Sequence, residues 1–136
     1  KNYIYIYINM SNPYLTAFNN QFLEFIEDVL RLFPNDKDII ATKNSLLMMK
    51  KMNPKLIITA WRDFIAKPYA DDIENGGMEF FLNKDYSEDL QVLGDTEKIL
   101  QVIDRLRGPL KSLHPDDSDS ALKYISNLTK LSLLYN

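Results

Sequence analysis

Cysteine is absent from the chain, and glycine, histidine and tryptophan are scarce: four, one and one in 136 residues. Without cysteine there are no disulfides and no thiolate metal sites, a composition that fits a reducing compartment. With His114 as the single histidine, a zinc site would need carboxylates for nearly all of its ligands. So few glycines leave little material for a phosphate-cradling loop, and neither that motif nor a nucleophile elbow occurs. No apolar run approaches the roughly 20 residues of a membrane helix, so a soluble chain with no membrane partner is expected. Basic excess is also missing. The net charge is −3, which weighs against general nucleic-acid binding.

What is present is an ordinary globular balance, 46% hydrophobic and 26% charged, in a length that suits one core rather than two. The patterning predicts an all-α fold of about five helices in a single-domain bundle over residues 10–136. A first helix opens at Asn12-Pro13, where Asn caps and Pro occupies a position that needs no N–H. Phe18, Phe22, Phe25, Ile26, Val29, Leu30 and Phe33 follow helical spacing, and Pro34 ends the run. A second helix follows the Asn35-Asp36-Lys37-Asp38 cap, with Ile39, Ile40, Leu46, Leu47 and Met49 as its apolar face. A third opens at Asn53-Pro54, buries Leu56, Ile57, Ala60, Trp61, Phe64 and Ile65, and is expected to stop at Lys67-Pro68.

Residues 69–94 are the hardest to place. Glu74-Asn75-Gly76-Gly77 reads as a turn, since glycines accept positive φ. Residues 78–82 read as a short strand or hairpin, or as an extended stretch pinned by its aromatics, and residues 85–90 as a helical turn. A fourth helix starts near Asp95 and carries the seam Ile99, Ile103, Leu106, Leu110, Leu113, with a kink or break expected at Gly108-Pro109. A fifth begins at 117–119 and buries Ala121, Leu122, Ile125, Leu128, Leu131 and Leu134. The junctions at 33–38 and 114–119 echo one another, each with a proline and an Asp-rich cap. Convergence on good capping chemistry accounts for this more simply than duplication.

Residues 1–9 alternate Tyr and Ile. An alternating T/A tract read in frame encodes such repeats, so this segment is expected to be an AT-rich leader read ahead of a start at Met10. The other reading is an edge strand.

Chemistry-bearing patterns are few. His114, beside Pro115, reads as a C-terminal helix cap, because no partner to orient it as a base is visible. Asp71, Asp72, Glu74, Glu79, Asp85, Glu88 and Asp89 lack the alternation and central glycine of a calcium loop and read as solvated surface and caps. No catalytic residue, metal or cofactor is assigned. Charge asymmetry is more informative: residues 50–67 hold Lys50, Lys51, Lys55, Arg62 and Lys67 against Asp63, while residues 71–89 hold the seven acids against Lys84. The five bases, with Trp61, Phe64 and Tyr69 interleaved, are candidate phosphate contacts. A basic helix folded against its acidic neighbour is the simpler reading. Trp61, Tyr69, Phe80 and Phe81 are candidate partner contacts, since two adjacent aromatics on an extended segment cannot both enter one core.

From residue 18 to 89 the chain resembles an uncharacterised family encoded by nucleocytoplasmic large DNA viruses, the giant viruses of algae and protists. The resemblance lies in the Phe-rich first helix, the Phe33-Pro34 stop, and Asp38-Ile39 leading to Lys43-Asn44. It continues through Met49-Lys50-Lys51, Asn53-Pro54-Lys55, Trp61, Pro68-Tyr69, and Phe80-Phe81 leading to Lys84-Asp85-Tyr86. It implies a virus-encoded accessory or virion protein, acting in the host cytoplasm or the virion, with a viral or host protein as partner. Nucleic acid bound through the basic 50–67 segment is the alternative.

Overall fold

Three capping arrangements punctuate the chain and set its helices. The computed structural model describes residues 13–84 and 95–135, so the expected leader at 1–9 and the helical turn at 85–90 lie outside it. Helix α1 spans Pro13–Leu32 and α2 spans Lys37–Met52. Between them Asp36 caps α2, its carboxylate accepting from the N–H groups of Asp38 at 2.9 Å and Ile39 at 3.1 Å. The Asn53 side chain accepts from the Lys55 N–H at 3.1 Å and turns the chain into α3, Leu56–Trp61. A π-turn, Arg62–Ala66, leads without a break into α4, Lys67–Asn83. Helices α5, Asp95–Leu110, and α6, Pro115–Leu134, complete an all-α fold of five rods among the described residues, one rod being α3, the π-turn and α4 together.

The phenylalanine stripe of α1 faces inward as its spacing predicts. Phe18, Phe22, Phe25, Ile26 and Val29 are buried, and α1 packs chiefly on α6 and α2. Trp61 stands at the centre. Its ring meets Phe22 edge-on at 5.5 Å and Phe18 at 6.2 Å, and stacks on Phe81 at 6.0 Å. Each such ring removed from water contributes about 1.5–3 kcal/mol. The seam of α5 (Ile99, Ile103, Leu106, Leu110) and that of α6 (Ala121, Ile125, Leu128) close the core from the other side.

Several local expectations are corrected. Pro68 does not stop the helix. A proline ring clashes with the carbonyl four residues back, and the π-turn just ahead of Pro68 widens the backbone there: the Lys67 N–H bonds the Arg62 carbonyl, five residues back. Residues 78–82 are helix, not strand or hairpin. Gly77, at φ 61° and ψ −146°, breaks the rod in the paired-glycine segment, and the chain resumes helix at once. The break expected at Gly108-Pro109 falls one residue later: Pro109 lies in the last turn of α5, which ends at Leu110, short of Leu113 in the expected seam. His114 caps a helix start, not an end: its Nδ1 accepts from the Asp116 N–H at 3.4 Å, and α6 begins at Pro115 rather than 117–119. In α2, Ile40 and Leu47 are exposed, and the inward face is Ile39, Thr42 and Leu46.

Thr42 is fully buried, yet its hydroxyl has no hydrogen-bond partner among the described residues. An orphaned hydroxyl in an apolar site loses its hydration without compensation. Thr42→Val, equal in shape, is therefore expected to raise stability by about 1 kcal/mol in urea denaturation. A loss of stability would mean that the hydroxyl has a partner.

Candidate functional site

The residues singled out by sequence separate into two groups. Trp61, 1% exposed, donates its indole N–H to Thr129 Oγ1 at 3.1 Å, and Phe81 is fully buried beside it. Both are core residues and offer nothing to a partner, which corrects their assignment as contacts. On a helix, adjacent residues lie about 100° apart, so Phe81 turns inward while Phe80 stays half-buried. Phe80 lies 5.8 Å from Tyr69, over whose ring the Lys84 ammonium sits at 4.8 Å. Tyr69 and Phe80 remain as a small surface pair.

The basic set also divides. Arg62 donates to Asp63 at 2.9 Å and to the Tyr135 carbonyl at 3.1 Å, clamping the end of the described chain onto the π-turn. The Arg62 hydrogen bond holds the Asp63 carboxyl below its ordinary value, and Asp63 in turn raises Arg62. Lys67 approaches the same carboxylate at 3.6 Å. These two cations serve the fold. Lys50, Lys51 and Lys55 make no ion pair among the described residues and lie at the α2–α3 corner.

That corner continues into a surface not singled out from sequence. The outward side of α2 exposes Ile40, Leu47, Met48 (65%) and Met52 (73%). Met48, Met49 and Met52 line a groove of about 340 Å³ with Ser45, Asn53, Leu56 and Lys98. The outward residues repeat at intervals of seven: Ile40 and Leu47 in one column, Lys37, Asn44 and Lys51 in the next, Ala41 and Met48 in a third. Lys43 and Lys50 flank them, half-exposed. The sequence signal was partial: α2 carries apolar residues all round, and a helix with one core face needs only one apolar side. Methionine suits such a surface, because its unbranched, polarisable side chain adapts to different shapes.

A second hollow, about 250 Å³, lies between α1 and α6 and is lined by Phe25, Asp28, Leu32, Leu113, Ser120 and Tyr124 among others. Its polar groups hold one another. The Tyr124 hydroxyl donates to Asp28 and, at 3.3 Å, to Glu24, while Arg31 pairs with Asp28. Burial first, then the Glu24 charge and hydrogen bond, push the Tyr124 hydroxyl above its ordinary value, so it stays protonated and acts as a donor latching α6 to α1. Tyr124→Phe is expected to cost about 1 kcal/mol. A group whose folded pKa is raised stabilises fully below its unfolded pKa and loses that contribution as pH rises through the folded value. Stability of the parent protein is thus expected to fall above roughly pH 10, and Tyr124→Phe to lack that part of the fall in alkaline denaturation. Identical alkaline profiles would refute the latch.

Among the described residues no group of three or more His, Asp or Glu side chains is placed to hold a metal ion, and no helix is long and apolar enough to cross a membrane. Asp71, Asp72, Glu74 and Glu79 are exposed on α4. The chain matches no family model, and no curated protein or solved structure matches it.

Proposed function

We propose that the chain is a non-enzymatic helical interaction protein that binds another protein through the outward face of α2. The supporting observation is that face itself: Ile40, Leu47, Met48 and Met52 exposed together on a helix whose opposite side already serves the core. Exposed apolar side chains gathered on one side of a helix, here in columns divided by the Lys37–Asn44–Lys51 column, mark interaction sites. The sequence resemblance extends the reading to an accessory or virion protein of a large DNA virus, working in the host cytoplasm or the particle with a viral or host partner. Affinity purification of the tagged chain from infected cells, followed by mass spectrometry, tests it. A defined co-purifying protein whose capture fails with Met48→Ser/Met52→Ser is the expected result. Capture of the same proteins by both forms would contradict it.

Nucleic acid is the second reading, supported by Lys50, Lys51 and Lys55, which make no ion pair among the described residues. It has lost its central stacking residue, because Trp61 is in the core. If it holds, gel-shift affinity falls steeply with salt as phosphate contacts release counterions. Binding that ignores salt, or none, removes it.

A further inference from the structure

We infer that the partner element is an acidic amphipathic helix, laid along α2 with carboxylates opposed to the Lys37–Asn44–Lys51 column. This assignment rests on the interaction reading above and adds the chemistry of the occupant.

Two observations on the surface carry it. The first is spacing. Two outward columns of α2 are apolar at both positions two turns apart, Ile40/Leu47 and Ala41/Met48, the interval at which a second helix packed at a shallow angle meets its neighbour. Ile40, Ala41, Leu47 and Met48 supply the apolar rungs, and Met52 extends them toward the groove ending at Leu56. The sixteen residues of Lys37–Met52 present about four turns, enough for a helix to make several rungs of contact.

The second is charge. Lys37, Lys43, Lys50, Lys51 and Lys55 surround or divide the apolar rungs, and none makes an ion pair among the described residues. Asp38 is the only acid on α2. The patch is therefore strongly positive on a chain that is negative overall. Lys37 and Lys51 lie within the seam rather than at its rim, so an apolar partner would desolvate them without compensation. A partner with Glu or Asp at the facing positions pairs them and excludes mismatched helices. Duplex nucleic acid fits less well, because it would use the lysines and leave Met48 and Met52 against a polar backbone. A flat anionic bilayer would leave the groove between Met49, Leu56 and Lys98 unfilled.

The test uses the full chain and a designed, fluorescently labelled helical peptide of roughly 20 residues, with leucines at three- and four-residue spacing and glutamates beside them. Three other probes run in parallel: the same peptide with every Glu replaced by Lys, a short DNA duplex, and phosphatidylcholine–phosphatidylserine vesicles. Anisotropy gives affinity, and the methyl signals of isotope-labelled methionines report location. Expected are binding of the acidic peptide, shifts at Met48 and Met52 but not Met78, and roughly tenfold weaker binding for Met48→Ser/Met52→Ser and for Lys51→Glu with melting unchanged. No binding, equal binding of the lysine peptide, tighter binding of duplex or vesicle, or indifference to both variants would each overturn the assignment. A partner captured from cells through Met48 and Met52 while the acidic peptide fails would end this inference and leave the interaction reading standing.

Discussion

Trp61→Ala is expected to destabilise the protein by about 3–5 kcal/mol, the range for removing a buried large aromatic and leaving a cavity. Trp61 is 1% exposed and touches aromatic rings from both α1 (Phe18, Phe22) and α4 (Phe81). Its N–H is satisfied by Thr129 of α6, whose own hydroxyl donates to the Ile125 carbonyl at 2.8 Å. Removing the indole therefore opens a hole where three rods meet and leaves Thr129 Oγ1 without its donor. Most small domains have about 5–15 kcal/mol in total, so the variant is expected to be partly unfolded at physiological temperature. Trp61→Phe keeps most of the volume and should cost markedly less. Thr129→Val keeps the indole but removes its acceptor, together with the hydroxyl's own bond to the Ile125 carbonyl, and should cost about 1–3 kcal/mol, chiefly by leaving the indole N–H buried and unpaired. Urea titrations followed by circular dichroism at the helical bands measure all three. A Trp61→Ala midpoint within error of the parent would show that the ring is not in the core.

Gly77→Ala has the second largest expected effect, a loss of about 1–3 kcal/mol. Gly77 is the one described residue with positive φ, and at φ 61° and ψ −146° a Cβ is strained whatever space surrounds it. The space itself is adequate, since the nearest atom to a new Cβ is Leu122 Cδ2 at 3.7 Å. The cost is therefore conformational. Either the kink straightens, turning Phe81 away from Trp61, or the residue bears the strain. Gly108→Ala is the matched control. It lies in α5 with nothing within 4 Å of its added Cβ, so it should be neutral or stabilising by up to about 1 kcal/mol. If both alanines behave alike, the kink at Gly77 is not fixed by backbone geometry.

The helices with one apolar face, α1 above all, were legible from residue spacing, and the Asp36 cap and the turn signal at Gly76-Gly77 were read from local chemistry. The misreadings share a cause: a local rule was applied where tertiary packing decides. Pro68 reads as a stop until a π-turn ahead of it relieves the clash. Residues 78–82 read as a short strand or a pinned extended stretch because five residues after paired glycines carry too little periodicity to show a helix, and the aromatics of α1 and Trp61 decide the matter by drawing Phe81 inward. Trp61 and Phe81 were taken for contacts because large aromatics serve cores and interfaces alike. The face of α2 was missed for the complementary reason. Its apolar residues surround the helix, so periodicity alone does not say which side is the core, and Ile40 and Leu47 were assigned inward with Ile39 and Leu46.

Exposure of the methionine methyls to a soluble paramagnetic agent tests the central claim most directly. Met48 and Met52 stand on an open outward face of α2, while neighbouring Met49 packs half-buried against the core. The predicted result is strong broadening of the Met48 and Met52 signals with Met49 largely protected. Equal protection of all three in the isolated chain would mean that the face is already covered, and the proposed docking surface would not exist.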